Sequence, residues 1–178
     1  MTRFQFSVLV LAILWIGFGA SLLGAVPMLP PRMATHFDGA GNPNGWMSRS
    51  AHLIFMAAFG IGFPLFIIGM FRMARYLPLS SINLPHRDYW LASERRDEST
   101  DYLFQHSIWL ACLGIAFITG LHWAVVFSNQ RQPASLPLSW VLSVAGSFLV
   151  GVVAWIICLY RRFRGPIEQR SNHIAPAL

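Results

Sequence analysis

Six histidines are the side chains in this chain with the widest chemical range. His36 stands two residues before Asp38, inside a turn-rich segment running from Leu29 to Trp46. His52 opens an apolar run, and His122 lies about a turn and a half from the end of another. If those runs are membrane helices and both termini share one side, His36, His52 and His122 fall at one depth on the opposite side. His86, His106 and His173 then fall with the termini. Three imidazoles around an open position would resemble a catalytic zinc site, and two histidines from separate helices can hold a haem. No HExxH and no paired CxxC accompanies them. The chain also lacks a Gly-rich phosphate loop, a nucleophile beside a base, and paired carboxylates in the apolar runs. The expectation is therefore a non-enzymatic protein without a cofactor, with a metal- or haem-dependent enzyme on His36, His52 and His122 as the alternative. Proton pumping needs ionisable groups within the membrane, and only His122 and a few hydroxyls are available.

The elements that must position these residues follow from composition. The chain has 178 residues, 55% hydrophobic and only 11% charged, against about 25% charged in ordinary soluble domains. Phe6–Val26, Leu53–Phe71, Ser107–Phe127 and Leu138–Tyr160 contain no Asp, Glu, Lys or Arg. Each approaches the roughly 20 residues that a helix needs to cross about 30 Å of hydrocarbon, where lipid offers the backbone no partners. The expected architecture is an all-α integral membrane protein, one four-helix domain with spans at 6–26, 52–71, 107–127 and 138–160. Segments 27–51 and 128–137 connect the spans on one side, 72–106 and the tail 161–178 lie on the other. The first span is longer than the roughly 7–15 apolar residues of a cleaved signal and is read as retained.

Arginine placement orients the bundle, since there is no lysine. Arg3, Arg72, Arg75, Arg87, Arg95, Arg96, Arg161, Arg162, Arg164 and Arg170 fall on the side of the termini, and Arg32, Arg49 and Arg131 on the other. That bias predicts both termini in the cytoplasm. The basic charge then reflects topology and attraction to anionic lipid and gives no reason to invoke nucleic acid. Cys112 and Cys158 both lie in spans, away from an oxidising compartment, and are read as packing thiols.

Within the outer segment, Leu29-Pro30-Pro31 is stiff and extended. Met33 to Phe37 alternates like a short strand, and Asp38-Gly39-Ala40-Gly41 followed by Asn42-Pro43-Asn44-Gly45 are turn signals, together a candidate β-hairpin. Trp46 suits an interface, Ser48 or Ser50 can cap the second span, and Phe37 with Trp46 would hold the loop flat on the bundle. Gly17 with Ser21, Ala20 with Gly24, and Ser143-Ser147-Gly151 form small-residue stripes that favour close helix packing, either internal or in a homo-oligomer. Pro64 predicts a kink near Phe59–Gly60. In the inner segment a helix is expected from about Tyr89 into the third span. Its mixed charges from Glu94 to Glu98 form a solvated face, a docking surface or an Arg–carboxylate lattice. The segment Ser128 to Pro137 reads as an ordinary connector.

Leu29-Pro30, Thr35-His36-Phe37, Gly41 and Gly45-Trp46, placed just after a first span, resemble a bacterial membrane family of unknown function found at the N-terminus of Sdp-type toxin-immunity and signal-transduction proteins. The likeness covers roughly Val26 to Phe71. Asn83-Leu84-Pro85, Arg87-Asp88-Tyr89-Trp90-Leu91 and Glu94-Arg95-Arg96 are similar to a second motif of its stand-alone members. The resemblance implies an outward first motif, an inward second motif, protection against a secreted peptide toxin, and capture of a regulator at the membrane. The chain departs from those relatives in being short, with four spans. The expected function is accordingly that of a sensor or immunity-like binding protein. Thr35, His36, Phe37, Asp38, Gly41, Gly45 and Trp46 would meet a peptide or envelope ligand. Asn83, Pro85, Arg87, Asp88, Tyr89, Trp90, Glu94, Arg95 and Arg96 would face a cytoplasmic partner, with coupling through the Pro64 kink. An accessory subunit of a larger membrane complex is the remaining alternative.

Overall fold

Apolar runs produce the long helices, and side-chain caps open the first two of them. The computed structural model describes residues 1–165, so Arg170 and His173 lie outside the described residues. Helix α1 spans Arg3–Ala25 and starts at a reciprocal cap. There the Gln5 N–H donates to Thr2 Oγ1 at 3.2 Å and the Thr2 N–H donates to Gln5 Oε1 at 2.9 Å, satisfying two otherwise orphaned donors. Strands β1 (Arg32–Phe37) and β2 (Pro43–Ser48) form an antiparallel hairpin. Helix α2 (Arg49–Met73) follows directly, capped by Ser48, whose Oγ accepts the Ala51 N–H at 3.1 Å. After α3 (Arg87–Trp90) come α4 (Arg96–Asn129) and α5 (Leu138–Arg162). Four helices, α1, α2, α4 and α5, are long and apolar enough to cross a membrane; this is a multi-pass membrane protein.

The structure moves several expected boundaries. Helix α4 has 34 residues, about 50 Å at 1.5 Å per residue, and starts eleven positions before the apolar run. The single helix expected from Tyr89 into the third span is broken. His86 adopts a left-handed backbone (φ 51°) and its carbonyl receives the Tyr89 and Trp90 N–H groups, starting α3. Arg95 Nε then donates to the Tyr89 carbonyl at 2.8 Å and Ser99 Oγ to the Trp90 carbonyl at 2.8 Å. With those carbonyls occupied by side chains, the α3 backbone turns instead of continuing. Helix α2 runs on through Pro64, which is buried inside it.

Helix α4 is the hub: it packs against α1, α2 and α5, while α1 and α2 touch sparingly. Leu11 and Phe18 of α1, Met56 of α2, and Ile108, Ala111, Cys112, Ile115 and Ile118 of α4 make the main core. Gly17 and Gly24 of the α1 stripe face open space and make no internal helix contact. Phe18 instead fills the gap over Gly60, where a Cβ would overlap its ring, and Trp15 Nε1 donates to the Gly60 carbonyl at 3.0 Å. The α5 stripe does pack internally: Ser143 and Ser147 border a groove shared with Phe117 and Gly120 of α4, and Gly151 faces Leu113. Helix α5 contributes no fully buried residue.

Candidate functional site

The hairpin is organised around Asp38. Its Oδ1 accepts the N–H groups of Ala40 at 2.9 Å and Asn42 at 2.8 Å, and Oδ2 accepts from the Asn42 side chain at 3.4 Å. The Asn42 backbone donor above all, with those of Ala40 and Gly41, holds the Asp38 carboxyl below its ordinary range, because donors favour the ionised form. Asp38 is thus the turn's organiser, and the hydrogen bonds of its carboxylate go to the turn rather than to His36. Gly41 takes φ +85°, a left-handed conformation that glycine adopts without penalty, and a Cβ there would overlap the Leu136 carbonyl oxygen. Gly45 sits opposite His36, where a Cβ would stand 2.9 Å from the histidine's own Cβ.

Hydrogen bonds to backbone groups, most of them neutral, fasten the hairpin to the helices. Asn129 at the end of α4 pairs with Ala34 like an extra strand, Oδ1 accepting the Ala34 N–H and Nδ2 donating to the Ala34 carbonyl, each at 2.8 Å. The Leu136 N–H donates to the Gly41 carbonyl at 2.9 Å, and Gln130 Nε2 donates to the Met28 carbonyl. Arg49 Nη1 reaches the carbonyls of Val26 at 3.4 Å and Leu29 at 3.3 Å. The segment after α4, expected to be an ordinary connector, is therefore part of the hairpin's mount. Below it Ala25, Leu29, Met33 and Val126 form a small core.

The opposite face of the hairpin is open. Arg32, His36, Asn44 and Ser48 are exposed, and Trp46 is 51% exposed with the Arg32 guanidinium 5.8 Å from its ring centroid. Trp46 does not clamp the loop to the bundle as expected; Met33 and Ala34 do, and Phe37 is half-buried. Thr35 turns its Oγ1 inward, buried and without a hydrogen-bond partner. Arg32 and Asn44 were not singled out by the sequence, although their alternation with buried Met33 and half-buried Gly45 is the signal for it.

Two of the three histidines meet. His52 Nε2 of α2 lies 3.2 Å from His122 Nδ1 of α4, both side chains are buried, and the rings are 18° from coplanar with centroids 5.3 Å apart. The rings thus meet nearly end to end, one nitrogen donating to the other. His122 Nε2 is buried with no hydrogen-bond partner. His36 is elsewhere, on the exposed hairpin face, and among the described residues no group of three His, Cys, Asp or Glu side chains is placed to hold a metal. The pair alone offers two of the three protein ligands of a catalytic zinc site.

At the far, arginine-rich end the second set of residues packs under the bundle. Leu84 and Leu91 are buried with Ile82, Leu103 and Phe163, Asn83 is exposed and Pro85 half-buried. Arg95 lies over the Tyr89 ring at 3.9 Å, Arg96 donates to the carbonyls of Arg75 at 3.3 Å and Leu77 at 2.6 Å, and Arg87 pairs with its neighbour Asp88 at 3.3 Å. The Ser93 hydroxyl, donating to Glu94 at 2.7 Å, holds that carboxyl below its ordinary range. The mixed charges form ion pairs on a face that is also solvated: Arg75 reaches Asp97 at 3.0 Å and Asp101 at 3.3 Å, Arg72 reaches Asp101 at 3.7 Å, and the carboxylates are largely exposed. Sequence reasoning missed Arg162, which bonds Glu98 at 2.6 Å and lies 4.5 Å from the Trp90 ring centroid. Nothing local in the sequence points to it, because its partners are more than sixty residues away.

Residues 12–61 match DUF1648, a domain of unknown function. The match takes in most of α1, the whole hairpin and the first half of α2. His36, Asp38, Trp46 and His52 lie within it, and the hairpin's mount, Asn129 and Leu136, lies outside, as do His122 and the entire arginine-rich end. No curated protein and no solved structure matches the chain.

Proposed function

We propose that this chain is a non-enzymatic sensor or immunity-like binding protein of a bacterial inner membrane, with the hairpin outward and the arginine-rich end and both termini in the cytoplasm. The observation that carries the reading is a single helix joining two differentiated ends. Asn129, the last residue of α4, holds the hairpin, and its first turns carry Asp97, Glu98, Ser99 and Asp101, which hold the opposite end. A ligand that shifts the hairpin by a fraction of an ångström would bias the packing of Trp90 and Phe163 through α4, a more direct route than the Pro64 region of α2. The ligand face is Arg32, His36, Asn44 and Trp46, suited to a peptide or envelope component with an anionic or aromatic group. The Sdp-type likeness of the loop motif and the arginine bias support the orientation. The test is protection or signalling by a His36→Ala, Trp46→Ala double variant at equal abundance. Loss of response is expected, and wild-type response would refute the reading.

One observation favours a second reading, a metal-dependent protein: the buried His52–His122 pair with its unpartnered Nε2. Elemental analysis of the purified protein decides it, since a stoichiometric transition metal lost in His122→Ala is required.

A further inference from the structure

At the arginine-rich end a cavity of about 440 Å³ opens between the start of α1 and the lower part of α4, lined by Met1, with its amino group, Thr2, Arg3 and Phe6 on one side and Tyr102, Gln105, His106 and Trp109 on the other. Its chemistry is layered. Phe6 and Trp109 pack with ring centroids 6.0 Å apart and planes tilted by 50°, on the side toward the apolar runs. Arg3, Tyr102 and Gln105 stand on the side toward the helix ends. No carboxylate lines it. Among the described residues the Arg3 guanidinium makes no ion pair, hydrogen bond or aromatic contact, whereas Arg72, Arg75, Arg87 and Arg162 all have carboxylate partners. The Tyr102 hydroxyl and the Gln105 amide have no protein partner among the described residues either. His106 forms a fixed wall: it stacks between Tyr102 and Trp155 at 5.4 Å and 5.0 Å, and its Nε2 lies 3.2 Å from the Trp155 carbonyl. Since a carbonyl only accepts, Nε2 carries the proton there.

We propose that this cavity binds the phosphodiester headgroup of an anionic phospholipid. Arg3 contacts the phosphate, Tyr102 and Gln105 hydrogen-bond the headgroup, and Phe6 and Trp109 flank the glycerol and first acyl carbons. The volume lies within the range of small-molecule sites. Basic pockets between membrane helices at the headgroup level are where such lipids are held, and the Trp109–Tyr102 order from apolar to polar follows the membrane interface. The inference stands apart from the sensor reading and uses neither the hairpin nor the orientation of the chain.

The experiment is native mass spectrometry of the full chain released from neutral detergent, titrated separately with phosphatidylglycerol, phosphatidylcholine and inorganic phosphate. One phosphatidylglycerol per chain is expected to persist, with phosphatidylcholine retained about tenfold less or weaker still, and inorganic phosphate not competing. Arg3→Gln should weaken retention by about tenfold, the loss of one charge-assisted hydrogen bond, and Arg3→Lys should restore part of it. Arg161→Gln, at the same end but outside the cavity, should leave it unchanged. Equal losses in Arg3→Gln and Arg161→Gln would reduce the effect to general surface charge and overturn the proposal. Equal retention of the two lipids, or displacement by inorganic phosphate, would overturn it as well.

Discussion

The two ends of the bundle are held by different physics. At the hairpin end the joints are directional and mostly neutral: amide to backbone at Asn129–Ala34 and backbone to backbone at Leu136–Gly41, with the Arg49 guanidinium on the Val26 and Leu29 carbonyls beside them. At the arginine-rich end guanidinium groups lie over aromatic faces and reach carboxylates that are largely exposed. Hydrogen bonds to the backbone fix position to within tenths of an ångström and are indifferent to salt. Exposed ion pairs are individually weak and screened. The arginine-rich end has backbone joints too, at Arg96–Leu77 and Ser99–Trp90, but its ion pairs make it the more salt-tunable mount and leave the hairpin end the more rigid one.

The largest blow to the rigid end is Gly41→Ala. It adds a side chain in a left-handed conformation and against the Leu136 carbonyl, and should cost about 3 kcal/mol or more. Lower thermal stability in detergent and protease nicking within the hairpin would register it; an unchanged melting temperature would mean that the mount is soft. Next is Asn129→Leu, which leaves the Ala34 N–H and carbonyl without their partners at a cost of about 1–3 kcal/mol. That loss should be the same in dilute and in molar salt. At the tunable end, Arg162→Gln removes an aromatic contact and a screened ion pair, worth about 1–2 kcal/mol together. Here the loss should shrink as salt rises, so parallel melts of the Asn129 and Arg162 variants across a salt series test the contrast directly. The smallest effect concerns acid. Because the Asp38 carboxyl is depressed in the folded state, its contribution is present above the unfolded carboxyl value. It fades as pH falls through the folded one, below about pH 4. Asp38→Asn should flatten that acid limb in a pH series of melts, with no change near neutrality in its slope.

Local signals were legible and distant pairings were not. Charge-free runs located all four long helices, and turn residues located the hairpin, because hydrophobic length and backbone permissiveness are properties of neighbouring residues. The mount was hidden: Asn129 reads as a polar residue near a helix end, and only the fold brings it to Ala34, ninety-five positions away. The break between α3 and α4 was hidden for the same reason, since Arg95 and Ser99 compete for carbonyls that a propensity argument assigns to a helix. The histidines were half-legible. Of the three histidines grouped by position along the helices, His52 and His122 meet, whereas position says nothing of which face a hairpin presents, and His36 is exposed on it.

The central place of α4 has a consequence for how the chain is made. Helices α1 and α2, with the hairpin between them, are synthesised first and have little contact with each other beyond Phe18, Trp15 and Gly60. Their main shared core partner arrives later, and the residues that moor the hairpin, Asn129 and Leu136, later still. A nascent chain that has inserted only its first two spans therefore carries an unmoored hairpin and an unfilled groove where α4 belongs. Assembly closes from the last-made half onto the first, so the hairpin is held only once the second half is in place.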